Sequence, residues 1–167
     1  MFNKIDKLSE TEFTEVFGNI FENASWIAEK LYQKKPFKNF QDLSEKMILI
    51  FEDIDNQNKL KILKSHPDLA DKTKIGFLTQ DSNKEQNSAG LDQCTEDEFN
   101  EFKKLNDIYK KFGFPFILAV KGKNKNEILN NFRKRISSEP EIEFNEAIKQ
   151  VKKIASLRLK DLNKNGI

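Results

Sequence analysis

The sequence predicts an all-α, single-domain bundle of about seven to nine helices, on three observations. Ser9, Thr95, Asn124 and Ser138 each stand three places before a glutamate (Glu12, Glu98, Glu127 and Glu141), the pattern of a capped helix start. Apolar residues recur behind each of them at three- and four-residue intervals. One run, Phe114-Pro115-Phe116-Ile117-Leu118-Ala119-Val120, is apolar enough for a buried strand, but the chain offers it no convincing strand to pair with.

The elements follow in order. Helix one starts at Ser9 and carries Phe13, Val16, Phe17, Ile20 and Phe21. A short second helix holds Trp26, Ile27 and Leu31 and stops before Pro36; Trp26 reads as core rather than site. The third runs from about Gln41 with Leu43, Met47, Ile50, Phe51 and Ile54 on one face. The fourth, from about Asn56, turns Leu60 and Leu63 inward and ends before Pro67, because a residue preceding proline disfavours helix. The stretch 65–91 has weak periodicity and reads as a long connection. Beyond it, the Thr95 helix carries Phe99, Phe102, Leu105, Tyr109 and Phe112 and is closed by Gly113. The run 114–120 is expected to be buried and extended or turn-like, with backbone groups free to bond a ligand provided something satisfies them. A helix from Asn124 presents Ile128, Phe132 and Ile136. The last and longest starts at Ser138, with Pro140 in its first turn. Its inward stripe is Phe144, Ile148, Val151, Ala155, Arg158 and Leu162.

Composition narrows the function. A chain of 167 residues suits one domain, 1–167, with a core that needs neither disulfides nor metals. Its 29 basic and 27 acidic side chains nearly cancel, so no global field calls for nucleic acid or membrane. The single Cys94 excludes an internal disulfide and a cysteine zinc site, and suits a reducing compartment. No apolar run approaches the roughly 18 residues that span a bilayer. The N-terminus lacks a signal peptide's apolar core, and Asn165-Gly166-Ile167 is no prenylation or peroxisomal signal. A cytoplasmic protein is expected. With one histidine, one cysteine and no calcium-loop spacing, no metal site is expected, and phosphate loop, dinucleotide fingerprint and nucleophile elbow are not found in the sequence.

Chemistry is expected in 65–91. It holds the only histidine, His66, at a helix C-terminus where the dipole favours the protonated form. Asp68 and Glu85 supply carboxylates of the kind that orient a general acid or base. His66 serves equally well as a capping histidine, and Glu85 with Gln86 as one exposed helical turn. Arg158 lies on an apolar stripe and needs an anion, either a core carboxylate or a bound ligand.

Taken together, five blocks carry a resemblance. They are Phe21-Glu22-Asn23-Ala24-Ser25-Trp26-Ile27-Ala28-Glu29; Ser65-His66-Pro67-Asp68-Leu69-Ala70; Glu85-Gln86-x-x-Ala89-Gly90-Leu91; Leu105-Asn106-x-x-Tyr109-x-x-Phe112-Gly113-Phe114-Pro115-Phe116-Ile117; and Ile154-Ala155-x-Leu157-Arg158-Leu159. In this order and spacing the chain resembles the 2-oxo-4-hydroxy-4-carboxy-5-ureidoimidazoline (OHCU) decarboxylases over nearly its whole length. The resemblance implies an all-helical, cofactor-free carboxy-lyase, a homodimer, taking the last step of urate conversion to (S)-allantoin. It implies that His66 and Glu85 are catalytic. It further implies substrate contacts from Pro67, from Ser82, Asn83, Lys84, Glu85 and Gln86, and from Phe116, Ile117, Leu118, Ala119 and Val120, with Arg158 binding an anion. Asp71 and Ser88 stand where the family pattern has glycine, which bears on loop backbone. The fused transthyretin-like hydrolase of some relatives is not part of this sequence. Two other readings stay open: a helical protein-interaction module with His66 and Arg158 structural, and a relative that is inactive or turns over another ureido acid.

Overall fold

A computed structural model describes residues 2–71 and 78–167, without the side chains of residues 2 and 3. Part of the predicted connection, 72–77, lies outside the described residues. Among those described there are nine α-helices and no strand. In order they are α1 (Phe2–Asp6), α2 (Glu10–Phe17), α3 (Trp26–Tyr32), α4 (Phe40–Asp53), α5 (Asn56–Lys64), α6 (Gln80–Ser88), α7 (Glu96–Tyr109), α8 (Lys125–Arg135) and α9 (Pro140–Lys164). They fall into two compact units, one of Met1–Ile62 with Lys152–Ile167 and one of Leu63–Val151.

In the first unit, Ser9 and Glu12 form the expected reciprocal cap of α2. The Ser9 backbone N–H, donating to Glu12, holds that carboxyl below the usual carboxylate range. The helix ends sooner than predicted, at Phe17, and α1 before it went unforeseen. Ile20 and Phe21 lie in the turns that follow but are still buried. Asn39, two residues ahead of the predicted start, caps α4 by accepting from the Asp42 N–H. Leu43, Met47 and Phe51 are its buried face, with Ile50 half-buried. Aromatic rings fill the middle: Phe13 lies against Phe17 at 4.6 Å and stacks with Phe37 at 6.0 Å, and Phe21 stacks with Phe51 at 4.9 Å. Such pairs add about 0.5–1.5 kcal/mol each beyond their burial.

In the second unit, Thr95 and Glu98 again cap each other. From Tyr109 the α7 helix tightens into a 3-10 turn, Lys110–Phe112, closed by Gly113 at φ 82°, where a side chain would be strained. Phe102, Tyr109, Phe116 and Phe132 form the ring cluster, with Phe116 stacked on Phe132 at 3.9 Å and 8°. Cys94 is an ordinary half-buried residue whose thiol contacts the Leu91 carbonyl oxygen at 3.5 Å. Burial pushes its pKa up, which makes it a poor nucleophile.

The α9 stripe is buried as predicted at Val151, Ala155 and Arg158 and departs by one position or more at its two ends. Its buried residues are Glu143, Ala147, Val151, Ile154, Ala155, Arg158 and Leu159, while Phe144, Ile148 and Leu162 are half-buried. The apolar pattern skipped Glu143 because a lone carboxylate is costly to bury. Here it is not alone, since Arg135 pairs with it.

Candidate active site

His66 sits where predicted, just past α5, half-buried, with its backbone N–H donating to the Leu63 carbonyl at 3.2 Å. Pro67 beside it is also half-buried. Part of the predicted connection is helical. Residues 80–88 form a helix, α6, with the Thr79 side chain accepting from the Ser82 N–H. Its buried side chains are Ser82 and Gln86, four places apart, so the inward face is polar and shows no hydrophobic period. Asn83 and Glu85 are half-buried, and Lys84 is exposed.

Gln86 joins α6 to the His66 loop. Its Oε1 accepts from the Ala70 N–H at 3.0 Å and its Nε2 donates to the Asp68 carbonyl at 3.3 Å. From α7, Asn106 Nδ2 donates to the Leu69 carbonyl at 3.0 Å. Three consecutive residues of the loop are thus held by two side-chain amides. The sequence placed Gln86 among substrate contacts and gave Asn106 no role beyond the family pattern. Asn106 was legible only as a polar residue beside the apolar face of α7.

The loop needs such bracing because Ala70 adopts φ 54°. Left-handed backbone costs a non-glycine residue roughly 1–2 kcal/mol. Neither of the positions that depart from the family's glycines lies there: Ser88 ends α6, and Asp71 follows Ala70. Ala70→Gly should therefore leave stability within about 1 kcal/mol of wild type or raise it. Ala70→Val should lower it by roughly 2 kcal/mol or more, since a branched side chain fits neither the backbone nor the burial. Thermal melts decide; equal losses in both variants would place the constraint elsewhere.

Phe116, Ile117, Leu118, Ala119 and Val120 are all buried and belong to neither helix nor strand. Side chains take two of their backbone groups. Arg135 NH1 donates to the Ile117 carbonyl at 2.6 Å, and the Ala119 N–H donates to Gln150 Oε1 at 3.0 Å. Arg135, Glu143 and Gln150 were missed in the sequence.

Arg158 lies in the first unit, 7% exposed. Its NH2 donates to Glu22 Oε1 at 2.9 Å, and its NH1 to the carbonyls of Asn19 at 3.1 Å and Ile20 at 3.3 Å. The core carboxylate that the sequence allowed for is therefore Glu22. Among the described residues no group of three or more His, Cys, Asp or Glu could hold a metal ion, and no helix is long and apolar enough to cross a membrane.

Comparison with known proteins agrees with the resemblance. The chain is 40% identical over 164 residues to the uric acid degradation bifunctional protein of Bacillus sp. (strain TB-90), covering 98% of this chain but 32% of that one, so it spans about a third of this relative's length. It is 34% identical to the 2-oxo-4-hydroxy-4-carboxy-5-ureidoimidazoline decarboxylase of Haloferax volcanii, over 93% of this chain and 92% of that one. The crystal structure of (S)-allantoin synthase superposes with a TM-score of 0.77 at 28% identity, covering 97% of this chain and 54% of that one. The OHCU decarboxylase family model matches residues 6–160. This chain belongs to the OHCU decarboxylase family.

Proposed function

We propose that the chain decarboxylates 2-oxo-4-hydroxy-4-carboxy-5-ureidoimidazoline to (S)-allantoin, without metal or organic cofactor, as a homodimer in the cytoplasm. One observation carries the reading: in a chain of this family, the loop bearing the only histidine is tied by Gln86 to the helix bearing Glu85.

The substrate supplies its own electron sink. Its carboxylate sits on a carbon next to a ring C=N, so the C–C bonding pair can move into that double bond as carbon dioxide leaves. The protein must hold the scissile bond perpendicular to the π system and deliver a proton to one face of the carbon carrying the ureido group. The hydroxyl proton departs as the carbonyl of allantoin forms, and the nitrogen of the former C=N takes up a proton as it receives the displaced pair, so one proton is consumed for each carbon dioxide lost. In this reading His66 moves protons, and Glu85 orients it or accepts from the ureido N–H groups. As the family resemblance implies, Arg158 binds a substrate anion, a carboxylate or developing oxyanion. Pro67, Ser82, Asn83, Lys84 and Gln86 complete one wall, and segment 116–120 reads the planar ring.

An interaction module is the weaker reading. Among the described residues only Leu49, Ile108 and Ile142 are large, apolar and exposed, one in the first unit and two in the second, too few for a groove that takes a partner helix. The deciding experiment generates the unstable substrate in situ with urate oxidase and the hydrolase, then follows allantoin by circular dichroism. Rapid growth of the (S) signal, unchanged after exhaustive chelation, is expected. A rate no faster than spontaneous decarboxylation would overturn the activity, and loss on chelation restored by one metal would overturn its cofactor independence.

A further inference from the structure

We infer that Arg135 and Gln150 are positioning residues that fix the peptide groups of segment 116–120 for substrate; this rests on the reading above that the segment contacts the ring. Five buried residues without helix or strand would bury unpaired peptide groups, each costing more than a hydrogen bond returns. Two side chains take up that role two residues apart. Arg135 NH1 bonds the Ile117 carbonyl, Gln150 Oε1 the Ala119 N–H, and the Lys123 N–H closes the turn on the Val120 carbonyl at 3.0 Å.

Arg135 is itself held from several directions. Its Nε and NH2 donate to Glu143 Oε1 at 2.8 and 2.5 Å, and its guanidinium carbon lies 4.4 Å from the Phe116 ring centre. The Tyr109 hydroxyl donates to the same Glu143 oxygen. Burial first, then the Glu143 carboxylate, pushes the Tyr109 phenol far above its usual range, so it remains a donor at any ordinary pH. Gln150 is steadied in turn, its Nε2 donating to Glu146 Oε1 at 2.9 Å.

For stability alone this arrangement is uneconomical, because a buried ion pair seldom outperforms well-packed apolar side chains. What apolar packing cannot do is fix the rotation of a peptide plane. Directional bonds from a planar guanidinium and an amide can, and a ring read by backbone groups needs that rotation set before it binds.

The test compares Arg135→Lys, Gln150→Met and Tyr109→Phe with wild type, by amide hydrogen exchange and by steady-state kinetics on in situ substrate. Arg135→Lys keeps the charge and loses the fork. Gln150→Met keeps the length and loses the acceptor, and its half-buried place on α9 keeps it clear of the ion pair if Arg135→Lys fails to fold. Both should speed exchange within 116–120 and raise KM roughly three- to tenfold, the scale of one or two net hydrogen bonds, with kcat changed less. Tyr109→Phe leaves both bonds to the segment and loosens only Glu143 behind Arg135, so it should lower the melting temperature and raise KM less than either other variant. Unchanged exchange in the segment in folded Gln150→Met overturns the proposal, as does faster exchange with KM unmoved. A wild type inactive on the substrate sinks the functional reading instead, and the exchange arm still decides whether these side chains hold the segment.

Discussion

His66→Asn is expected to lower kcat on the order of 100-fold or more, the scale of a lost acid–base group. Asparagine keeps approximate size and one hydrogen-bonding end but cannot exchange a proton near neutral pH. The Gln86 and Asn106 bonds to Asp68, Leu69 and Ala70 do not involve residue 66 and should hold the loop's shape in the variant. Substrate affinity should therefore change far less than rate. Glu85→Gln separates two roles for the carboxylate. If Glu85 accepts from the ureido group, both KM and kcat suffer; if it only orients His66, the loss falls mainly on kcat. Single-turnover allantoin formation, corrected for the spontaneous reaction, is the measurement. Near-wild-type turnover with unchanged stereochemical excess in His66→Asn would remove His66 from the mechanism.

Helices whose start and inward face were both written in the sequence were legible from it. The reciprocal caps at Ser9 and Thr95 formed as read, and Asn124 accepts from the Glu127 N–H as the spacing requires. The helix α6 was hidden because its buried side chains, Ser82 and Gln86, are polar, and a search for apolar periods passes over such a face. Its cap, Thr79 over Ser82, lacks the glutamate that marks the starts at Ser9, Thr95 and Asn124. Glu143 and Arg135 were hidden for a related reason. A buried charge is readable only with its partner, and nothing in one dimension pairs residues on α8 and α9. The segment 116–120 was placed correctly as buried and unpaired by strands, yet which side chains would satisfy it needed coordinates. As for the candidate site, the sequence named His66, Glu85 and Gln86 but gave no sign that Gln86 and Asn106 brace the His66 loop.

Glu22→Ala should cost about 3–5 kcal/mol, since it removes a buried carboxylate paired with a guanidinium that cannot shed its charge. The side chains of Arg158 and Glu22 are 6% and 2% exposed, so water offers little relief. For a chain of this size, that loss corresponds to a fall in Tm on the order of 10 °C. Arg158→Lys is the sharper probe. A lysine ammonium has three donors and no fork, so it cannot reproduce contacts to Glu22, Asn19 and Ile20 and still face an anion. The sequence left a core carboxylate and a bound anion as alternatives for Arg158, and the two roles are compatible. With Glu22 balancing its charge and two carbonyls fixing its plane, the guanidinium is held in one orientation, as a group that recognises a carboxylate or oxyanion must be. Arg158→Lys should then lower Tm and also raise KM about tenfold or more at temperatures where the variant is fully folded. Glu22→Gln, which keeps an acceptor for NH2, should retain more stability than Glu22→Ala and shift KM in the same direction through a less restrained guanidinium. A lowered Tm with KM unmoved in Arg158→Lys would make Arg158 a core anchor for Glu22 and nothing more.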